Sequence, residues 1–207
     1  MPKVATRIDL GALLDRMASP RTSDDVDDRI LDAAAGLLAA SGLSGLEVDS
    51  AASVSGVGRS TIYRRFTDRN QLIAATLAHE MRRFLAALAD EAASIDDLGE
   101  QVVVAFVAGL RVAQRSGLAA LIRHEPLLLR LLTIDSAPLV SAASEHLVAL
   151  AVLRQPTLDR ATATATADVL VRLAISFVLS PGSLLDLDDA GIENAVRHRI
   201  GPLVNVT

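Results

Sequence analysis

The chain has 207 residues, 51% hydrophobic but only 2% aromatic, with a formal net charge of −5 and no cysteine. A core of ordinary size is within reach, and it must be aliphatic; abundant Ala and Leu with few aromatics lean towards an all-α protein. The missing thiols exclude disulfides, thiolate catalysis and cysteine-held metals, and the acidic balance excludes a basic coat spread over the whole surface.

No basic start followed by an apolar core opens the chain. The apolar run 102–110 stops at Arg111, short of the roughly 20 residues a membrane span requires. The expectation is a soluble, cytoplasmic protein with no membrane partner.

Residues 1–22 read as an N-terminal extension. Residues 8–14 can form a short amphipathic helix ending at Ser19-Pro20. Two readings stand for it, a partly ordered arm or a strap in which Lys3, Arg7, Arg16 and Arg21 help hold a DNA backbone. A helix is predicted from Ser23, a capping hydroxyl followed by Asp24, Asp25, Asp27 and Asp28, all favourable at the positive end of a helix dipole. Ile30, Ala34, Leu37 and Leu38 recur at helical spacing, and Ser41-Gly42 stops the run. The acids read as capping and solvation, since no histidine or ion-binding loop accompanies them.

The stretch 46–69 organises the rest. A small-residue helix over 48–55 puts Val48, Ala51, Ala52 and Ser55 on one face. Gly56 suits a left-handed turn, and Gly58 serves as an N-cap before a third helix. In that helix Ile62 and Phe66, four apart, share a buried face. Ser60 and Arg64 then fall opposite, with Thr61 and Tyr63 flanking. Arg59 stands at the tip, while Arg65 lies nearer the packed side, in reach of a phosphate or an acid. The positive residues of 56–69 are Arg59, Arg64, Arg65 and Arg69 against the single acid Asp68, a local patch on an acidic protein. Helix, glycine turn and hydroxyl- and arginine-bearing helix is the chemistry of a helix-turn-helix, whose second helix enters the major groove. Arginine grips guanine bidentately, and hydroxyls and tyrosine bond phosphate oxygens.

The run 30–72 resembles the N-terminal DNA-binding domain of the tetracycline-repressor (TetR) family. The resemblance is carried by the Ile30-Leu31-Asp32-Ala33-Ala34 opening, the small-residue helix, Gly56-Val57, Thr61-Ile62-Tyr63-Arg64-Arg65-Phe66, and Asp68-Arg69 before Leu72. The family pattern often has threonine where Glu47 stands, serine at Gly58, glycine at Ser60 and lysine at Arg69. An acid at Glu47 loses the hydroxyl cap and repels phosphate, whereas Arg69 keeps the charge expected to meet the DNA backbone. The resemblance implies a DNA-binding set of Arg59, Ser60, Thr61, Tyr63, Arg64, Arg65 and Arg69.

Asp68 is expected to cap a long helix, 70–93, with Leu72, Ile73, Leu77, Met81, Phe84 and Leu88 as its stripe. In the family this helix joins the DNA head to the body. Helices then follow over 98–114, 118–123, 127–132 and 136–153. Gln155-Pro156-Thr157 ends one and caps the next. Residues 161–167 alternate Thr and Ala, a strand-like period, but Ala disfavours strand and the segment runs on into 169–178, so helix is predicted. Ser180-Pro181-Gly182 stops it, and a last helix over 188–203 is disrupted at Gly201-Pro202.

The predicted organisation is thus an extension (1–22), a helix-turn-helix domain (23–69) and a helical ligand-binding and dimerisation domain (70–207). The two final helices resemble those that form the family's dimer interface. The apolar surface on Val169, Leu170, Leu173, Phe177, Ile192, Val196 and Ile200 suits that interface or an internal core equally. A homodimer would read a near-palindromic operator.

The expected ligand-binding set, for a small apolar effector, is Phe106, Leu110, Gln114, Ile122, His124, Leu128, His146, Leu150, Arg172 and Phe177, with Glu125 and Arg130 as further polar candidates. No enzyme is expected. His124-Glu125 lacks the second histidine of a zincin helix, and the glycines of 56–58 have no P-loop lysine, Lys3 being the chain's only lysine. No cofactor or metal is called for. The leading reading is a transcriptional repressor released from DNA by its effector; the alternative is an all-α dimeric ligand- or protein-binding module without DNA binding.

Overall fold

The structure is a computed structural model that describes residues 10–18, 24–115, 122, 125–180 and 187–204. Among these residues every regular element is a helix: α1 (Leu10–Ala18), α2 (Asp25–Gly45), α3 (Val48–Ser55), α4 (Arg59–Phe66), α5 (Arg69–Ala92), α6 (Leu98–Arg115), α7 (Pro126–Leu132), α8 (Ala137–Arg154), α9 (Arg160–Leu179), α10 (Asp189–Arg199) and α11 (Gly201–Val204). The all-α expectation holds, including the Thr/Ala alternation, which lies inside α9. The helix expected over 118–123 lies outside the described residues except for Ile122, which is buried. The chain divides into two compact units, Met1–Phe84 and Leu85–Thr207, so α5 contributes to both.

In the first unit α2 is capped by Asp24, whose carboxylate accepts from the Val26 and Asp27 amides at 3.1 and 2.9 Å. The cap is therefore this acid, one residue beyond the expected Ser23. Helical geometry breaks where Ser41-Gly42 predicts, with Gly42 at φ 66°, ψ −169°. That conformation is open essentially to glycine alone. The chain turns there and buries Leu43 and Leu46 beside Ile30, Leu31, Ala34 and Leu38 of α2. Ile62 and Phe66 of α4 and Leu72 and Ile73 of α5 are buried as well. Ala74, Ala75 and Ala78 are buried on α5, and their small side chains allow close helix approach.

In the second unit α6 and α10 pack together, and Val103, Val107 and Leu110 form one cluster with Leu170 of α9 and Ile192, Val196 and Ile200. This separates two roles that periodicity left open. Leu170, Ile192, Val196 and Ile200 are internal core, whereas Val169 is exposed. Arg197 ties α10 to α6 by pairing with Glu100 as well as with Glu193 on its own helix. Helices α8 and α9, joined by residues 155–159, lie against each other. The α9 cap is Asp159, which accepts from the Thr162 amide at 3.0 Å, in place of the expected Thr157.

Both α8 and α9 are long and apolar enough to cross a membrane by composition, which the 102–110 run alone did not show. They are also sparsely buried. Leu147, Leu150, Leu153 and Val169 stand exposed on them, while the outward residues of α10, Asn194, Arg197, His198 and Arg199, are polar.

Candidate nucleic-acid interface

The interface is built from the turn outwards. Gly56 closes α3 in the left-handed region at φ 68°, ψ 18°, its amide donating to the Ala52 carbonyl at 3.1 Å. Arg29 braces the turn by donating to the Ser55 carbonyl at 2.8 Å, and the Ser55 hydroxyl accepts from the Val57 amide at 3.3 Å. Gly58 then enters α4 with extended dihedrals and no side-chain cap. Nothing lies within 4 Å of the place a Cβ would take there, so close packing does not demand glycine at this position.

On α4 the buried pair Ile62 and Phe66 sets the roll of the helix. Ser60, Tyr63 and Arg64 are exposed on the other side, Arg59 is exposed at the tip, and Thr61 is half-buried. Arg64 is free of ion pairs among the described residues. Arg59 pairs with Asp49 of α3 at 2.7 Å, but both side chains are more than half exposed, so water competes strongly for the pair.

Two arginines of the expected set are engaged within the protein. Arg65 meets Asp24 at 2.8 Å and Asp27 at 2.5 Å, joining the start of α2 to the end of α4. The Arg65 hydrogen bond, helped by the Asp27 amide, holds the Asp24 carboxyl below its ordinary 3.8. Of the two partners open to Arg65, the structure supplies the acid. Arg69, expected at the DNA backbone, is largely covered, because its Nε donates to the Leu46 carbonyl at 2.8 Å and its Nη2 to the Leu43 carbonyl. Its Nε also lies 3.2 Å from the Glu47 carboxylate. Glu47 occupies the N-cap of α3 without a side-chain cap bond, as its side chain predicts.

The expected ligand set is scattered. Leu110 is core; Phe106 and Phe177 pack edge-on, ring centroids 6.3 Å apart, against the same cluster. Ile122 and Leu128 are buried, whereas His146 and Leu150 are exposed on α8. Arg130 pairs with Asp135 and Arg172 with Asp168, each at 2.7 Å. The Gln114 side chain and His124 lie outside the described residues. Arg172 does line an open cleft of about 340 Å³, with Leu132, Thr133, Ser136, Val140, Ile175, Ser176, Leu179 and Ser180. Apart from Arg172, the sequence singled out none of these, because the cleft forms only where the ends of α7 and α9 meet the start of α8. No cluster of three or more metal-ligating side chains occurs among the described residues.

A helix-turn-helix in an all-α chain with a separate helical unit defines the class, a DNA-binding transcriptional regulator. Residues 30–76 match the family of bacterial regulatory proteins of the tetR type, and residues 97–195 match the bacterial tetracyclin repressor C-terminal domain. The chain belongs to the TetR family of transcriptional regulators. It is 27% identical over 192 residues to Rv1255c, an uncharacterized HTH-type transcriptional regulator of Mycobacterium tuberculosis, covering 90% of this chain and 89% of that one. Among solved structures it resembles the TetR family repressor AlkX from Dietzia sp., implicated in biodegradation of n-alkanes, with TM-score 0.64, 23% identity and coverage of 86% and 98% of the two chains. The fatty acid degradation regulator FadR from Bacillus halodurans aligns with TM-score 0.50 and 17% identity over 90% and 98%.

Proposed function

We propose that this regulator is a repressor that binds a near-palindromic operator as a homodimer and leaves it when a small apolar effector binds the helical body. The observation that carries the DNA reading is the division of α4, whose buried Ile62 and Phe66 present Ser60, Tyr63 and Arg64 to solvent beside a turn fixed by Gly56. The base-reading set is Ser60, Thr61, Tyr63 and Arg64, with Arg59 recruited from its exposed pair. Arg65 and Arg69 serve the head from inside. Residues 23–69 form the reading domain, and α5 connects it to the body.

The effector reading is supported by the aliphatic lining of the second unit, in which the cleft offers Leu132, Val140, Ile175 and Leu179 beside hydroxyls and Arg172. Release then requires an effector that favours a body conformation coupled to weaker DNA binding, since a ligand shifts an equilibrium only by its differential affinity. The exposed apolar side chains of α8 and α9 supply the surface for a second copy.

Selection of duplexes from a random pool by the full-length protein tests the reading. An enriched near-palindrome whose binding weakens steeply with salt is the expected result; recovery of no common sequence sinks it. The alternative without DNA gains from the pairing of Arg59, Arg65 and Arg69 with acids, and it requires duplex binding that is absent even at low salt.

A further inference from the structure

We propose that α1 is a strut that positions the recognition helix, with Arg16 as the positioning residue that links α5 to α4. The strut stands on the geometry of the first unit alone; its regulatory use rests on the function proposed above.

Helix α1 is anchored by Leu13, which is 4% exposed. Near its C-terminal end Arg16 makes two contacts with two different helices. Its guanidinium lies over the ring of Phe66, 5.7 Å from the centroid, and its backbone carbonyl accepts from Nη1 of Arg82 on α5 at 2.7 Å. Both contacts follow from elementary helix physics. The last carbonyls of a helix have no partner within it and carry the negative end of its dipole, so a cation from α5 is a natural cap. A cation over an aromatic face is attracted by the ring quadrupole.

Phe66 makes the contact consequential. It is the last residue of α4 and, four residues from Ile62, one of the two buried side chains that set the roll of that helix. A change in its seating therefore turns Ser60, Tyr63 and Arg64. Helix α5 runs unbroken from Arg69 to Ala92. A change in its roll near Arg82 would be felt at the end of α4 through α1, beyond what the short connection 67–68 transmits. The strap reading of Arg16 predicts something different, a guanidinium spent on DNA phosphate.

Amide hydrogen exchange on the full-length free protein separates these. Arg16→Ala removes the ring contact and keeps the carbonyl; Arg82→Ala removes the α5 donor to that carbonyl. Both are expected to raise exchange across α4 about two- to fivefold, with α3 unchanged and Arg16→Lys restoring most of the protection. Unchanged α4 exchange in both variants overturns the strut, and so does a uniform rise over α2, α3 and α4, which would mark plain destabilisation. Where a duplex has been selected, Arg16→Ala should lower its affinity relative to random duplex at constant salt dependence. A salt slope reduced by about one with α4 exchange unchanged would assign Arg16 to phosphate instead. If the native protein binds no duplex, the proposed function fails while the exchange experiment still decides the strut.

Discussion

Glu47 and Arg69 face each other at 3.2 Å across the base of the helix-turn-helix, and each replaces the residue the family pattern usually carries at its position. The two departures explain one another. Glu47 gives α3 no hydroxyl cap, and Arg69, longer and forked where a lysine would be a point charge, reaches the carbonyls of Leu43 and Leu46 while neutralising the acid. Hydrogen bonds from a charged donor in a partly buried site contribute about 1.5–3 kcal/mol, whereas the half-exposed Glu47 adds at most about 1 kcal/mol. Arg69→Ala should therefore lower stability by roughly 2 kcal/mol in urea unfolding and leave the salt slope of DNA binding unchanged. A slope reduced by about one, with stability intact, would return Arg69 to a phosphate.

Arg64 is the counterpart test. It is exposed on the reading face and holds no ion pair among the described residues, so replacing it disturbs little inside the head. Arg64→Ala should relax discrimination at one operator position by about 1–3 kcal/mol with the folded state unaffected. Equal weakening on every duplex would remove Arg64 from base reading.

What the sequence made legible was local. The bounds of α3, the start of α4 after Gly58, the left-handed Gly56 and the break at Gly42 follow from turn chemistry and a 3.6-residue period, both confined to a few neighbours. The partners of the arginines were not legible, because each is set by tertiary approach. Asp24 and Arg65 are 41 residues apart and meet only when α4 packs under the start of α2. Arg16 reads as part of a loose arm or as a phosphate contact until the ring of Phe66 is placed beneath it. Ile192, Val196 and Ile200 carry the same apolar stripe whether they face a partner or a core, and only packing against α6 shows the latter.

The Arg65 latch gives the head an acid limit. Arg65 and the Asp27 amide hold the folded Asp24 carboxyl below 3.8. A lowered folded value contributes stability that is complete above the ordinary value and is lost as pH falls through the folded one. The latch is therefore intact at neutral pH and fails only below about 3.8. Asp24→Asn, which keeps a good N-cap, should flatten the acid limb of urea midpoints measured between pH 5 and 2. Limbs of equal slope in the two proteins would show that Asp24 does not carry it.

The exposed leucines of α8 predict how the proposed homodimer fails. Leu147, Leu150 and Leu153 recur every third residue, with Val169 exposed on the neighbouring α9. Across a twofold axis one substitution acts twice. Leu150→Glu should convert the protein to monomer at micromolar concentration in sedimentation, with helical circular dichroism unchanged because Leu150 is 43% exposed in the single chain. A mass still that of a dimer would move the interface off this face.

Ser144 tests the packing of the body. It is 2% exposed on α8, and its hydroxyl has no hydrogen-bond partner among the described residues. A buried donor left unmade costs about 1–3 kcal/mol of desolvation, while removing one oxygen from a tight site opens little volume and forfeits little contact. The first effect outweighs the second, so Ser144→Ala should stabilise the chain by about 1 kcal/mol, read as a rise of a few degrees in thermal midpoint. A fall in midpoint would mean that the hydroxyl finds a partner in solution.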